Sequence, residues 1–345
     1  MSGLGGFVEL TKPKVVVLLQ ITAICSIIVH DCLDSSFGLS SFGTMAIVFI
    51  GGFLSAGGAN AINMWYDRDI DPLMKRTEAR PIPSGAITPN SALIFGVLIS
   101  IMGVMWFLIL ANQVAAFWSA FSILFYVFVY SIWLKRSTPQ NIVIGGIAGS
   151  TPPIIGWAAA EGGLGISTGS FRSFLVSIID IGSMLPWLMF LLIFLWTPPH
   201  FWALALYRSK EYASVGVPML PNVKGPHRTL MEMKAYAILL VLVSLTIPVS
   251  FGGFDSDDAI YHILGSTVLL LSLWYASTIW RIDFSEEPDQ TGRIKSAASS
   301  FYISMLYLAL MFVVLVAASF GLTGAIMGGA LSIFSIFRNE SRISN

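Results

Sequence analysis

The amino-acid sequence predicts an all-α, polytopic membrane protein that crosses the bilayer nine times. Of the 345 residues, 55% are hydrophobic and only 11% are charged, and the mean hydropathy is +0.78. Soluble domains do not have this composition, whereas proteins built from membrane-spanning helices do. Because the net charge is zero, bulk electrostatics gives no reason to expect a nucleic-acid partner. We expect a single transmembrane domain over residues 1–345.

Nine apolar runs are long enough to span, since a membrane helix needs about 20 mostly apolar residues. The first run follows a short polar start that lacks the small-residue cleavage site of a signal peptide, so we expect this run to be retained as a helix. The predicted spans lie near 14–33, 42–65, 91–111, 114–134, 141–160, 184–206, 235–254, 259–280 and 300–320.

Two segments outside these spans are also distinctive. Residues 161–183 are rich in Gly and Ser, and we expect an extended, flexible external loop there. Residues 321–345 form a C-terminal tail whose short apolar part contains Gly324, Gly328 and Gly329. A tenth span would leave almost no turn before it. We therefore expect the tail to lengthen the last helix or to lie in the membrane interface.

The positive charges predict the orientation, because Lys and Arg concentrate in the cytoplasmic segments of membrane proteins. With the N-terminus in the cytoplasm, the inner segments hold 16 of the 19 Lys and Arg residues. The outer segments then hold only Arg172, Arg338 and Arg342. Nine spans place the C-terminus outside. We expect the plasma membrane of a prokaryotic cell.

The second span is followed by the charged stretch NAINMWYDRDIDPLMKRTEARPIPSG, residues 60–85. Asn63, Asp67 and Asp71 are spaced i, i+4 and i+8, so a continuous helix would align them on one face. Such oxygen ligands suit Mg²⁺, which proteins usually hold through one or two carboxylates plus substrate phosphates. Pro72 disfavours helical geometry at the preceding residue, so Asp71 is expected to act from the first residue of the loop.

Basic residues lie beside these carboxylates. Carboxylates that suit a metal ion lie next to cations that suit phosphate groups. This combination predicts a diphosphate site at a membrane surface. The alternative is a solvated loop of mixed charge. The basic residues of this stretch are Arg68, Lys75, Arg76 and Arg80.

The segments NMWYDRDID and RPIPSG resemble the first aspartate motif of the UbiA-type intramembrane prenyltransferases and, more narrowly, the protoheme IX farnesyltransferase (heme O synthase) family. LKRSTPQNIVIGGIAGSTPPIIGWAAA, TPPHFW and GVPMLP are similar to the narrower family too, so the resemblance runs from about Thr11 to about Gly225. It implies an enzyme that transfers farnesyl from farnesyl diphosphate to a vinyl group of heme B, with water addition. It also implies Mg²⁺ as cofactor, a lipid bilayer, and heme A synthase or a terminal oxidase assembly as a partner.

The sixth span contains TPPHFW, in which Pro198 and Pro199 loosen the helix and His200 follows well inside the membrane. A buried ionisable residue in a membrane helix is a functional candidate. The alternative is a neutral histidine bonded to a carbonyl that the prolines leave free. The resemblance to the heme family implies that His200 binds heme iron or acts as an acid or base near the vinyl group. It also implies that Tyr207 contacts the heme.

The cytoplasmic end of the sixth span carries Arg208, Lys210 and Glu211. In the wider superfamily this position holds a second aspartate-rich motif, whereas here Glu211 is the one acid. The resemblance implies that Glu211 assists one Mg²⁺ while Arg208 and Lys210 bind diphosphate oxygens. Lys135, at the end of the fourth span, is expected to reach the same diphosphate. The alternative is a helix end with snorkelling basic side chains.

Gly145, Gly146 and Gly149 form a stripe of small residues on the fifth span. Such a stripe predicts either close helix packing or room for a flat macrocycle.

Two other functions fit parts of the pattern. One is a UbiA-type prenyltransferase that acts on a quinone precursor or a lipid acceptor, against which TPPHFW, GVPMLP and the single acid at Glu211 argue. The other is a transporter or channel, which also uses broken helices and intramembrane charge. The charged residues here cluster at the inner face rather than at the midplane, which disfavours transport.

Overall fold

The computed structural model describes residues 3–75, 77–207, 218–252, 259–286 and 294–343. Within these ranges every regular element is helical, as the sequence predicts. Apolar runs form helices in a bilayer because a helix satisfies its backbone hydrogen bonds internally. In chain order the α-helices are α1 (Leu4–Leu10), α2 (Pro13–Leu33), α3 (Leu39–Tyr66), α4 (Pro89–Leu110), α5 (Gln113–Leu124), α6 (Asn141–Ser150), α7 (Pro152–Glu161), α8 (Phe171–Ile179), α9 (Leu185–Tyr207), α10 (Leu220–Lys224), α11 (Pro226–Ser244), α12 (Ile247–Gly252), α13 (Ala259–Trp280), α14 (Lys295–Ser319) and α15 (Leu322–Ile343).

In the described part of the chain, nine helical segments are long and apolar enough to cross a membrane, which confirms the predicted number. The fourth span joins α5 to a π-helical stretch, Phe125–Leu134, and the fifth joins α6 to α7 across Thr151. The seventh begins at Pro226, well before the predicted residue 235. Proline is favoured at the first helical position, so the helix extends into the charged segment that precedes the membrane.

The long helices form a closed bundle. α2 packs against α3 and α7, α3 packs along α4, and α9 packs against α6 and α11. α14 contacts both α9 and α2, so the ninth span closes the ring on the first. The interior of this ring is therefore enclosed by helices from both halves of the chain.

The contact between α3 and α4 shows which helix faces meet. Gly96 and Gly58 bring the two backbones together, since an added Cβ would lie 2.8 Å from Ile62 and 2.2 Å from Ser100, respectively. On the opposite face of α4, large apolar side chains such as Leu98 are more than half exposed. Small residues inside and large apolar residues outside are typical of a helix that packs within a bilayer.

Residues 161–183 contain the helix α8, which differs from the flexible loop that we predicted. Its first turn is capped by the Ser170 hydroxyl. Its last turn is held by Trp118 and Trp187, whose indole nitrogens donate to backbone carbonyls at 2.9 Å and 3.1 Å. The Gly and Ser residues suggested a flexible loop, but the apolar residues of FRSFLVSII supply a face that packs on aromatic side chains.

The C-terminal tail folds back along the bundle as α15. Gly321 reverses the chain within a single turn, because its φ of 91° is in the left-handed region that glycine adopts readily. α15 then packs against α14 and α13. Gly324 allows the close approach, since an added Cβ would lie 1.9 Å from the carbonyl oxygen of Ala317. Within the described residues the count of nine spans stands, but the tail does not lengthen the last span, because the turn at Gly321 begins a separate helix.

The far end of α15 lies beside the end of α13. Glu340 accepts a hydrogen bond from Trp274 Nε1 at 2.8 Å and pairs with Arg281 at 2.7 Å. Arg281 belongs to a segment that we predicted to be cytoplasmic. This contact places the described end of the C-terminal helix beside the end of α13 that we predicted to be cytoplasmic, whereas nine spans predict an outside C-terminus. Which side of the membrane each end of the bundle faces stays a prediction.

Candidate active site

The aspartate motif begins where α3 ends. α3 stops before Asp67, and two short 3-10 turns carry Asp67 and Asp71. The single helix that would align them with Asn63 is not formed, because Pro72 cannot donate the helical hydrogen bond and its ring would clash one turn earlier. All three side chains are nevertheless buried, at 3% exposure for Asn63 and 1% for each aspartate.

These three residues line one cavity of about 200 Å³ at this end of the bundle. Carboxylates and basic groups form part of its wall, and tyrosine rings, apolar side chains and a few neutral polar side chains form the rest. The lining residues are Lys12, Asn63, Asp67, Ile70, Asp71, Met74, Thr77, Arg80, Tyr126, Tyr130, Lys135, Asn141, Ile142, Phe201, Leu204 and Met219.

Each buried aspartate has a basic partner. Arg80 Nη1 lies 2.7 Å and 2.9 Å from the two carboxylate oxygens of Asp71, and Lys135 donates to Asp67 Oδ2. Burying a charge is costly unless it is paired, so these contacts explain how two carboxylates can lie in an enclosed space. The structure therefore brings together the predicted residues Asn63, Asp67, Asp71, Arg80 and Lys135.

One carboxylate oxygen is left without a hydrogen bond. Asp67 Oδ1 is buried and has no donor in the described part of the chain, and a nitrogen of Arg136 is 3.6 Å away from it. An anionic oxygen without a hydrogen-bond donor suits a hard cation as a ligand. The described residues contain no group of three or more His, Cys, Asp or Glu side chains that could hold a metal. A cation here would therefore need substrate oxygens as well.

Lys12 is a site residue that the sequence reasoning missed, having counted it only as a cytoplasmic positive charge. It precedes α2 with φ 51°, an uncommon conformation for a residue other than glycine. Its Nζ donates to Asn63 Oδ1 at 2.9 Å, and Asn63 Nδ2 donates to Ser131 Oγ at 3.0 Å. Asn63 thus links the start of the first span to the π-helical stretch of the fourth.

Burial shifts the protonation equilibria of this cavity toward neutral forms. Desolvation, together with the nearby Arg80 and Lys135 charges, lowers the pKa of Lys12 to about 7. Desolvation raises the pKa of Asp71, against the opposing effect of Arg80. Charged groups in such a place are stabilised by counter-charge, so a polyanionic ligand would favour the charged form of Lys12.

The π-helical stretch of the fourth span places two tyrosine rings in the cavity wall. Tyr126 and Tyr130 stack with centroids 5.3 Å apart and an interplanar angle of 28°. Gly145 on α6 makes room for one of them, since an added Cβ would lie 2.2 Å from Tyr130 Cδ2. In contrast, nothing lies within 4 Å of a Cβ added at Gly149. The glycine stripe therefore serves close packing at one position and borders open space at another.

His200 lies in the same bundle but not in the lining of this cavity. Its Nδ1 is 2.6 Å from Ser304 Oγ on α14. Its ring stacks on Trp196 and Phe301, with centroids 4.2 Å and 4.7 Å away. α9 remains helical through Pro198 and Pro199. The alternative interpretation, a bond from His200 to a freed carbonyl, is not what forms, since Nδ1 contacts this serine hydroxyl instead.

Several predicted site residues are not brought to the cavity. Arg68 is exposed and donates to the carbonyl of Trp65, and Lys75 is exposed as well. Neither residue lines the cavity, so the structure does not support the expectation that these two bind diphosphate there. Tyr207 ends α9 and is absent from the cavity lining. Three further predicted residues and one neighbouring cation lie outside the described residues: Arg208, Lys210, Glu211 and Arg76.

Residues 33–296 match the UbiA prenyltransferase family. The chain belongs to this family. Two similar bacterial proteins are named protoheme IX farnesyltransferase. The one from Parvibaculum lavamentivorans is 43% identical over 334 residues, covering 96% of this chain and 94% of the relative. The one from Bartonella tribocorum is 40% identical over 312 residues, covering 90% and 89%.

Solved structures of UbiA proteins share the fold. A digeranylgeranylglyceryl phosphate synthase structure has a TM-score of 0.68 at 18% identity, covering 92% of this chain and 99% of that one. A UbiA homologue from Archaeoglobus fulgidus bound to DMAPP and Mg²⁺ has a TM-score of 0.58 at 14% identity, covering 90% and 98%. The closed bundle is therefore a UbiA fold. As a UbiA prenyltransferase, the chain is an integral, multi-pass membrane enzyme.

Proposed function

We propose that this chain transfers the farnesyl group of farnesyl diphosphate to a vinyl group of protoheme IX, with addition of water, to give heme O and diphosphate. Two relatives with this name align along nine-tenths or more of the chain. The observation that carries the reaction type is the cavity in which Asp67 and Asp71 meet Lys12, Arg80 and Lys135. Buried carboxylates beside three basic groups suit a metal-bound diphosphate better than any neutral ligand.

The basic residues of the cavity bind the diphosphate in this proposal. Lys12, Arg80 and Lys135 approach from three separate segments of the chain and can contact different phosphate oxygens. Negative charge grows on the diphosphate as its bond to the allylic carbon breaks. Positively charged groups already held in place stabilise that charge without reorganisation.

Mg²⁺ fits the orphaned Asp67 oxygen, and we propose Asp67 and Asp71 as its ligands. Asn63, whose oxygen now accepts a hydrogen bond from Lys12, is the expected third ligand. When bound, the ion neutralises charge on the leaving diphosphate. A related UbiA protein has been solved with Mg²⁺ and a prenyl diphosphate. Glu211, Arg208 and Lys210 stay predicted contributors.

The bundle keeps water away from the allylic cation that ionisation leaves. The stacked rings of Tyr126 and Tyr130 border the cavity, and the electron-rich faces of aromatic rings attract cations. The vinyl π electrons of heme attack the allylic carbon and form the new C–C bond. The cation then lies on the carbon next to the porphyrin, where water adds and releases one proton.

His200 is the proposed contact with the heme. Its imidazole is held within the bundle and can act through one ring nitrogen, either as a ligand of heme iron or as the acceptor of the proton that water releases. Tyr207, at the end of the same helix, is a proposed second contact. In His200→Ala, loss of an iron ligand would shift the Soret band of bound heme, whereas loss of a proton acceptor would leave the band in place and lower turnover.

Titration of the purified protein with heme B tests the proposed acceptor. We expect stoichiometric binding with a shifted Soret band, and competition by neither a quinone precursor nor a lipid acceptor. A UbiA enzyme with a quinone or lipid acceptor would not bind heme stoichiometrically. A wild-type protein without a bound-heme signal would therefore rule out the proposal.

We also propose a cellular setting. The named relatives are bacterial, and the nine apolar spans suit the plasma membrane of a prokaryotic cell. The product, heme O, would pass to a heme A synthase or to a terminal oxidase assembly.

A further inference from the structure

The ring of His200 is held on three sides by groups that belong to or contact α14. Ser304 Oγ lies 2.6 Å from Nδ1. Phe301 stacks on the ring with an interplanar angle of 25°, and Trp196 stacks on it at 20°. Trp196 is itself fixed by α14, because its indole nitrogen donates to the carbonyl oxygen of Ser304 at 2.8 Å. One residue, Ser304, therefore holds both the imidazole and one of the two rings stacked with it.

The hydrogen bonds of Ser304 indicate which nitrogen of His200 carries the proton. A serine hydroxyl has one proton to donate and can also accept. Ser304 donates that proton to the carbonyl oxygen of Phe301 at 2.6 Å, one turn back in its own helix. With the hydroxyl proton engaged by this carbonyl, the Ser304 oxygen accepts from the imidazole, and we assign the ring proton to His200 Nδ1. A neutral imidazole with a proton on Nδ1 has a lone pair on Nε2.

The Nε2 atom of His200 is in a position to use that lone pair. Among the described residues it has no hydrogen-bond partner, and it is not one of the fully enclosed side-chain atoms that lack one. The residue as a whole is only 7% exposed. The nitrogen thus borders accessible space although the rest of the ring is packed on its faces and at Nδ1.

We propose that Ser304 is a positioning residue that fixes His200 in the tautomer with a free Nε2 lone pair and holds this nitrogen ready for the acceptor substrate. The inference rests on the proposed function, because a free Nε2 is what either iron ligation or proton acceptance by His200 requires. Groups that orient a functional histidine through its second nitrogen commonly matter about 10- to 100-fold for affinity or activity.

The tautomer can be measured without any substrate. The chain has four histidines, so protein labelled with ¹⁵N-histidine gives only four imidazole spin systems, and His200→Ala assigns the one of interest. We expect wild-type His200 to be protonated at Nδ1 and bare at Nε2. In Ser304→Ala this signal should move toward the other tautomer, while the remaining histidines keep their shifts.

Ser300→Ala is the matched control. Ser300 is a fully buried serine one turn earlier on α14, and its hydroxyl contacts Thr278 rather than His200. This variant also loses a hydroxyl group from α14, but not one that contacts His200. It should therefore leave the His200 signal unchanged. A wild-type His200 protonated at Nε2 would overturn the proposal, as would equal His200 shifts in Ser304→Ala and Ser300→Ala.

Turnover gives the second readout. Ser304→Ala should lower kcat by about 10-fold or more, leave KM for farnesyl diphosphate unchanged, and be rescued by Ser304→Thr, which keeps the hydroxyl. A Ser304→Thr protein with the wild-type tautomer but the kcat of Ser304→Ala would contradict the proposal. If the wild type makes no heme O at all, the proposed function fails, while the tautomer measurement still decides the role of Ser304.

Discussion

Asp67 and Asp69 lie in one short turn, yet their side chains meet different surroundings. Asp67 is 1% exposed and faces the cavity, whereas Asp69 is exposed and pairs with Arg136 at 2.6 Å. We expect Asp67→Ala and Asp71→Ala each to lower turnover at least about 100-fold, the scale of losing one preorganised charge-stabilising group. Steady-state release of diphosphate measures the effect.

Asp69→Ala is the control, because it removes a carboxylate from the same turn without touching the cavity. Its turnover should stay within about fivefold of wild type, since an exposed ion pair contributes about 1 kcal/mol at most. All three variants should insert and fold. Full activity in Asp67→Ala or Asp71→Ala would remove that residue from the proposed metal site.

Lys12 and Lys14 form a second matched pair, separated by Pro13. Lys12 reaches Asn63 inside the cavity, whereas Lys14 is exposed. Lys12→Ala should lower kcat/KM for farnesyl diphosphate by about 10- to 100-fold, because a hydrogen bond to a charged group is worth about 1.5–3 kcal/mol. Lys14→Ala should leave kcat/KM unchanged. Equal losses in both variants would mean that only the general positive charge matters.

Motif spacing in the sequence located Asn63, Asp67 and Asp71 but not every partner. Lys12 lies 51 residues before Asn63, and the contact arises only when α2 packs along α3. Arg68 was predicted to bind diphosphate because it directly follows Asp67. Its side chain instead donates to a backbone carbonyl at the surface. Local pattern identifies the chemistry of a site, whereas packing between distant helices decides which cations reach it.

The helix α6 offers a test of how the fifth span shapes the cavity. A methyl group at Gly145 would collide with Tyr130, whereas one at Gly149 would enter open space. Both Gly→Ala changes gain about 1 kcal/mol of helix propensity. The difference in stability between the two variants therefore measures the steric clash with Tyr130. Gly145→Ala should lower both the Tm and kcat, because overpacking costs about 1–3 kcal/mol and displaces the tyrosine ring.

Gly149→Ala should keep wild-type kcat and an equal or higher Tm. Thermal unfolding in detergent, followed by turnover of the same samples, measures both quantities. If Gly145→Ala were as stable and active as Gly149→Ala, the stacked tyrosines would not depend on the close approach of α6.

The tail helix α15 makes a prediction about topology. In a background without Cys25 and Cys32, we expect Ser341→Cys and Glu78→Cys to react with an impermeant maleimide from the same side of the membrane. The reason is that Glu340 pairs with Arg281 at the end of the bundle predicted to be cytoplasmic. Ser167→Cys, in the segment after α7, should react from the other side.

Labelling of Ser341→Cys from the same side as Ser167→Cys would instead support an outside C-terminus. Sequence reasoning could not place this helix, because the turn depends on the left-handed conformation of Gly321 and the packing depends on Gly324. In the sequence, Gly324 indicated only a break in an apolar run.

At the scale of the whole molecule, hydropathy alone predicted the spans, because a bilayer demands long apolar segments wherever the chain crosses it. It could not predict that α14 closes the ring against α2, or that α9 presents His200 to α14. Those contacts depend on side-chain shape and hydrogen bonding between helices that are 100 residues or more apart in sequence. The diphosphate chemistry was therefore visible in the sequence, while the surroundings of the acceptor site came from the fold.

The most direct test of the proposed activity is the mass of the product. Purified protein would be mixed with farnesyl diphosphate, Mg²⁺ and heme B, and the extracted heme analysed by mass spectrometry, with Asp67→Ala as the inactive control. We predict a heme heavier by one farnesyl and one hydroxyl group, formed together with diphosphate and only by the active protein. Unchanged heme B with a prenylated quinone precursor or lipid, when these acceptors are supplied instead, would contradict the account.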